Sequence, residues 1–148
     1  MEKAIIFIGI QASGKTSFYR RFLSEYVHIS LDVLNTRNKE KILIEKCIEN
    51  RESFVIDNTN PTREDRKRYI DILKNKGYRI VGYYFRSSIG ESIERNSGRE
   101  GKANVPKTAI LCTSKKLELP SFDEGFDELY YVHIENSGFV VDKWSEEV

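Results

Sequence analysis

The 148-residue chain has little cysteine, proline, methionine or histidine, at 2, 3, 1 and 2 residues respectively. Cys47 and Cys112 stand far apart, with neither CxxC nor zinc-ligand spacing. That excludes a disulfide framework and a cysteine metal site, and leaves two reduced thiols of a cytoplasmic protein as the expectation. No apolar run approaches the ~18 residues of a membrane span, and the short apolar stretch in MEKAIIFIGI lacks a cleavage-site pattern. Repeats, low-complexity tracts and Gly/Ser linkers are missing as well, so one domain over residues 1–148 is expected, with no membrane partner. Net charge is also nearly absent, at +1, but it is unevenly spread: residues 61–116 hold 14 Lys/Arg against 6 Asp/Glu, and residues 117–148 hold 1 against 9. An anionic substrate on one face and two solvated surfaces of opposite sign fit that pattern equally well.

What the chain does contain is an alternation of short apolar, β-rich runs with longer charged segments of helical period. Ala4 to Ile10 is nearly all apolar, as a parallel strand covered on both faces must be. Tyr26–Ser30, Ser53–Asp57, Tyr78–Phe85 and Leu129–Ile134 read as further strands, and Gly138–Val141 as a short terminal one. Helices are expected within GKTSFYRRFLSEY, over Lys39–Asn50 with Ile42, Leu43, Lys46 and Cys47 in phase, over Ser88–Asn96 and over Pro106–Leu117. Another starts after Pro61, capped by Thr62 with Asp65 three residues on, and stops at Gly77. Strands alternating with helices imply βαβ units whose loops gather at one sheet edge, where ligands bind. The expected architecture is α/β: a three-layer P-loop kinase-type fold with a mostly parallel five-stranded sheet and a small lid near residues 95–106.

The most informative stretch is GIQASGKT, Gly9–Thr16, placed directly after the first strand. It fits G-x-x-x-x-G-K-[ST], a loop whose backbone N–H groups wrap nucleotide phosphates at the start of a helix. Gly9, Ala12, Ser13, Gly14, Lys15, Thr16 and Ser17 are therefore the expected phosphate contacts. Lys15 would reach the β- and γ-phosphates, and the Thr16 hydroxyl would bind Mg²⁺. Hydrolysis, transfer and sensing all use such a loop, but a guanine-reading NKxD run is missing, which removes the switch GTPases.

A kinase needs a base for the acceptor hydroxyl, cations for the transferring group and a lid that excludes water. Asp32, at the end of HISLD, stands where a carboxylate can take the hydroxyl proton, although capping the next turn is an equal use for it. Asp57 to Pro61, DNTNP, forms a loop on the same edge. Its Asp57 could hold Mg²⁺ through water, and Asn58 and Asn60 could bridge loops or touch an acceptor, although an Asx-turn feeding the next helix accounts for the same residues at least as well. Arg95 to Lys102, RNSGREGK, sets three cations among two glycines between helices, as a mobile lid would, although a solvated interhelical loop is the commoner origin of such a stretch. Arg66 and Arg68 do not share a helix face, and Arg66, one turn from the helix start, is the better acceptor contact. Tyr69, Tyr83 and Tyr84 are available for base stacking or for core packing, and His28 and His133 read as structural.

Taken together, GIQASGKT, Asp32, VIDNTNPTREDRKRY, RNSGREGKANVP and LPSFDEGF resemble the 5′-polynucleotide kinases, in the family's order and over nearly the whole chain. The resemblance implies transfer of the γ-phosphoryl group of ATP, with Mg²⁺, to the 5′-hydroxyl of RNA or DNA. It implies Asp32 as the general base, Lys15 and Thr16 on phosphate and Mg²⁺, Arg99 on the transferring group, and Arg95 on the nucleotide. The family's phosphatase and ligase modules have no counterpart in these residues, so the resemblance implies either a stand-alone kinase or the kinase subunit of something larger, with a phosphatase or ligase as a possible partner in trans. Two positions depart from the pattern. Leu31 replaces the Arg that usually precedes the base, and Asn35 replaces an Arg that the phage member carries three residues after it; Arg37 stands close by. A small-molecule or nucleoside kinase and a non-catalytic nucleotide-binding module remain the alternatives.

Overall fold

The computed structural model describes residues 1–101 and 104–145. Its elements alternate along the chain as β1 (Lys3–Ile8), α1 (Lys15–Phe22), β2 (Val27–Ile29), α2 (Leu31–Leu34), α3 (Arg37–Glu49), β3 (Phe54–Ile56), α4 (Arg63–Leu73), β4 (Arg79–Phe85), α5 (Ile89–Ser97), α6 (Lys107–Lys116), β5 (Glu128–Glu135) and β6 (Gly138–Lys143). One sheet runs β2-β3-β1-β4-β5-β6. Its first five strands pair in parallel, and β6 pairs antiparallel with β5.

Strand β1 is central because nothing in it needs water. From Ala4 to Ile8 every residue is buried, and its side chains alternate between two cores as strand geometry demands. Ala4, Ile6 and Ile8 meet Ile44 and Cys47 of α3 and Tyr69, Ile70 and Leu73 of α4. Ile5 and Phe7 meet Phe18 of α1 together with Val55, Val81 and Phe85 on the other face. Each fully buried side chain of this size contributes about 1.5–3 kcal/mol. The helix–sheet–helix layering matches the expected class.

Three expectations change. The sheet has six strands rather than five: Asn136 and Ser137 both take left-handed φ, 50° and 64°, the two-residue turn whose twist suits a hairpin. So short a link permits only an antiparallel return. On α3 the buried face is Glu40, Ile44 and Cys47, while Ile42 is exposed. The expected apolar phase is therefore rotated, because a buried carboxylate holds part of that face. Helix α4 begins with the expected capping box between Thr62 and Asp65 but ends at Leu73 rather than running to Gly77. Gly77 does adopt positive φ, 78°, in the turn that follows. Among the described residues no helix is long and apolar enough to cross a membrane.

Candidate functional site

The carboxyl ends of β1, β2 and β3 carry the loop residues singled out in the sequence. Gly9–Thr16 turns between β1 and α1, with Ala12 at φ 59° and Gly14, the N-cap of α1, at φ 102°. Only glycine holds the latter conformation without strain. At Gly9 a side chain would also lie 2.9 Å from the Ser13 hydroxyl and 3.1 Å from Phe85. Thr16 and Ser17 stand in the first turn of α1, so the positive helix end faces the loop.

Lys15 is buried and folds over the loop, its Nζ donating to the carbonyls of Gly9 (3.0 Å) and Ile10 (2.7 Å). Burial pushes its pKa down to about 8, against the pull of Asp57 and Asp32 and with the push of Arg99. Those three charges come from the loop after β3, from α2 and from the segment after α5. The fold therefore brings the expected base and lid arginine within electrostatic range of the expected phosphate lysine.

Beside them the Thr16 hydroxyl donates to Asp57 Oδ2 at 2.8 Å. The same oxygen meets His28 Nε2 at 2.8 Å, and the His28 ring stacks on Tyr19 at 4.2 Å. His28 read as structural in the sequence, yet it stands in the site. Only the pairing of β2 with β3, which sets it one strand away from Asp57, brings the two together. Among the described residues no cluster of three or more His, Cys, Asp or Glu forms a metal cage. The oxygen pair of Thr16 and Asp57 is nevertheless of the hard kind that Mg²⁺ takes alongside nucleotide phosphates.

Asp32 lies exposed in the first turn of α2, and it is not the cap: Ser30 is, its hydroxyl accepting from Asp32 N at 3.3 Å. The preceding Leu31 N donates to Asn58 Oδ1 at 3.0 Å, so Asn58 bridges the loop after β3 to the α2 turn.

Two expected acceptor contacts turn inward. Asn60 is buried in left-handed backbone, φ 43°, and its Nδ2 donates to Phe7 O at 2.8 Å, stapling the DNTNP loop to β1. Arg66 has no exposed surface. It makes a two-pronged pair with Glu124, Nε–Oε1 2.8 Å and Nη2–Oε2 3.1 Å, and Nη1 donates to the carbonyls of Asn60 and Pro61 at 3.1 and 3.3 Å. A guanidinium so occupied cannot meet an acceptor; it supports the loop from beneath. Arg68 points to solvent on the other face. Tyr69 and Tyr84 are buried in the core, and Tyr83 packs against Phe7 and Phe18, so none of the three is an open stacking surface.

The lid stretch is anchored at its base. Arg95 Nη1 donates to Ala12 O at 2.8 Å, latching α5 to the phosphate loop, and Gln11 Nε2 reaches Thr113 on α6 at 2.9 Å. Asn96 is buried and grips Val105 through both its amide atoms, 2.7 and 2.9 Å, closing the loop that carries Arg99. Lys102 of this stretch lies outside the described residues.

Comparison with known proteins fits this geometry. The family model described as AAA domain matches residues 36–120, more than half of the chain, beginning after the phosphate loop. A protein of Schizosaccharomyces pombe named bifunctional polynucleotide phosphatase/kinase is 25% identical over 97% of this chain and 36% of its own length. An Acanthamoeba polyphaga mimivirus protein whose name carries the same two activities is 30% identical over 86% of the chain and 32% of its own. The resemblance to polynucleotide kinases is thereby borne out, and the chain spans about a third of the length of these curated relatives. Among solved structures, a sugar kinase from Janibacter sp. HTCC2649 superposes with a TM-score of 0.66 at 15% identity, covering 88% of this chain and 86% of that one. A likeness of that degree bears on the fold, a P-loop kinase scaffold.

Proposed function

The chain belongs to the AAA domain family, and from that premise we propose that it transfers the γ-phosphoryl group of ATP to the 5′-hydroxyl of a polynucleotide. The observation that carries the reading is a phosphate loop tied to two other parts of the chain: Arg95 at the base of the lid stretch holds Ala12 O at 2.8 Å and Thr16 meets Asp57 at 2.8 Å, while the neighbouring Asn58 holds the turn of Asp32 at 3.0 Å. Binding a nucleotide alone needs no such link to a strand-end carboxylate, and transfer does.

In this reading the loop from Gly9 to Ser17 holds the donor's phosphates through backbone N–H groups, and Lys15 leaves its carbonyl partners for the β- and γ-phosphates. The Thr16 hydroxyl donates its hydrogen bond to Asp57, which leaves its lone pairs for a hard cation. Mg²⁺, when bound there, supplies neutralisation of phosphate charge. The acceptor's 5′-oxygen forms its bond to the γ-phosphorus as the bond to the β–γ bridging oxygen breaks, and the hydroxyl proton passes to Asp32. Arg99 stabilises the charge on the transferring group, and Arg95 holds the lid base against the loop. The acceptor class rests on the relatives' names and on the excess of Lys/Arg over residues 61–116. A ligase acting in trans would consume the new 5′-phosphate end, and a phosphatase in trans would remove a phosphate elsewhere on the strand.

The test is transfer of labelled γ-phosphate from ATP with Mg²⁺ to matched 5′-hydroxyl RNA and DNA oligonucleotides, with 5′-phosphorylated strands as controls. Label on the 5′-hydroxyl strands, reduced at least ~100-fold in Asp32→Asn, is the expected result. ATP binding without label on either strand, but with label on nucleosides or sugars, would transfer the reading to a small-molecule kinase.

A further inference from the structure

Glu40 is a carboxylate with almost no exposed surface, on a helix that no motif marks. Burying such a charge is costly unless every lone pair is answered. Here Oε1 accepts from Arg37 Nη1 at 3.0 Å, and Oε2 accepts from Asn58 Nδ2 at 2.9 Å and from the Tyr69 hydroxyl at 3.0 Å. That hydroxyl in turn accepts from Arg37 Nη1 at 2.8 Å and from Asn58 Nδ2 at 3.2 Å. Its single proton and both its lone pairs are thus in use.

The consequence falls on Asn58. A carboxylate can only accept, so Glu40 fixes which end of the Asn58 amide is which: nitrogen toward Glu40 and Tyr69, oxygen toward Leu31 N. Flipped, the amide would set oxygen against oxygen on one side and N–H against N–H on the other. Leu31 is the residue before Asp32, and its N–H is the first donor of the α2 turn. The chain of contacts runs from a buried charge on α3, through an amide on the β3 loop, to the backbone that carries the proposed base.

We infer that Glu40 is a positioning residue for Asp32, acting through Asn58 with Tyr69 as brace. The inference rests on the reading of Asp32 as general base. Phosphoryl transfer depends on placement above all, and an error of about 1 Å in a catalytic group costs up to ~10²-fold. Holding the α2 turn at its first N–H fixes the backbone that carries Asp32.

The experiment is a double-mutant cycle in single-turnover phosphoryl transfer, with Asp32→Asn, Glu40→Ala and Asn58→Ala alone and in pairs. Glu40→Ala and Asn58→Ala each are expected to lower the transfer rate ~10–100-fold with KM for ATP unchanged, because the donor loop makes none of these contacts. Glu40→Gln, whose carbonyl can still accept from Asn58 and Tyr69, is expected to restore most of the loss. In the Asp32→Asn background neither alanine change should cost more than about twofold, since a positioning residue has nothing left to position. Losses that multiply in full in that background overturn the inference, as does a change confined to KM for ATP. Should Glu40→Ala fail to fold, Tyr69→Phe removes only the bracing hydroxyl and enters the same cycle, where a loss absent from the Asp32→Asn background supports the inference and a loss that multiplies overturns it. Undiminished transfer by Asp32→Asn alone overturns the base assignment itself, whereas an inactive Asp32→Asn with multiplying losses overturns only the role of Glu40.

Discussion

The proposed donor and acceptor sides of the site are built on different principles. On the donor side the work is done by backbone: a glycine-shaped loop, a helix end, and a lysine held against the carbonyls of Gly9 and Ile10 at the start of that loop. On the acceptor side it is done by side chains far apart in sequence, with Asn58 joined to Leu31, Glu40 and Tyr69, and Arg66 to Glu124. A backbone site leaves a short contiguous motif, since each residue's job is set by its neighbours in the chain. A side-chain network leaves scattered polar residues whose jobs depend on who arrives opposite them.

The sharpest test of that division is Arg99→Ala. In the proposed mechanism Arg99 is the cation at the transferring group, which is worth ~10³–10⁵ in related chemistry, so turnover should fall at least ~10³-fold with KM for either substrate little changed. A rise in KM for ATP alone would instead assign Arg99 to donor binding.

Next in size is Arg66→Ala, which probes the acceptor side's scaffold. Removing the guanidinium takes the two-pronged partner from the nearly buried Glu124 carboxylate, leaving it Ser121 N at 2.9 Å and Arg63 at 3.8 Å, and frees two loop carbonyls. A loss of ~3–5 kcal/mol of stability is expected, read from the denaturant midpoint, and a paired Arg66→Met, Glu124→Leu variant should recover much of it. Full stability together with a raised acceptor KM would return Arg66 to the acceptor.

That case shows where reading the sequence stops. Strands β1, β3 and β4 stand out as apolar runs, the phosphate loop as a motif, and the α4 start as a capping box, because all are local. Arg66 and Asn60 looked like acceptor contacts for the same local reason, a polar residue near the right sheet edge. Their burial is decided by Glu124, 58 positions on, and by Phe7, 53 positions back. Glu40 escaped notice because periodicity counts apolar residues, and the buried face of α3 includes a carboxylate.

A smaller effect belongs to the donor side. Burial lowers the Lys15 pKa to about 8, whereas bound phosphates favour the charged amine and raise it again. Between those values nucleotide binding takes up a proton, so Kd should rise about tenfold per pH unit above pH 8 and stay flat below. The free chain shows the opposite slope: unfolded Lys15 keeps its proton to about pH 10, so this group adds stability as pH rises from 8 toward that value. Calorimetry in buffers of different ionisation enthalpy reads the proton uptake, and Lys15→Met should abolish it. Binding independent of pH from 7 to 9.5 would show that the loop's N–H groups hold the phosphates without the amine's charge.

The least effect is expected at Arg68, and that is its use. It lies two residues from Arg66 on the opposite, solvated face of α4, so Arg68→Ala should shift stability by no more than ~0.5 kcal/mol and leave acceptor KM within about twofold. If α4 were instead a docking face for the polynucleotide, the same change would weaken acceptor binding and reduce its salt slope by about one. Titrating acceptor KM against salt in the two proteins separates these outcomes, and a changed slope would extend the acceptor side from the Asp32 turn along the outer face of α4.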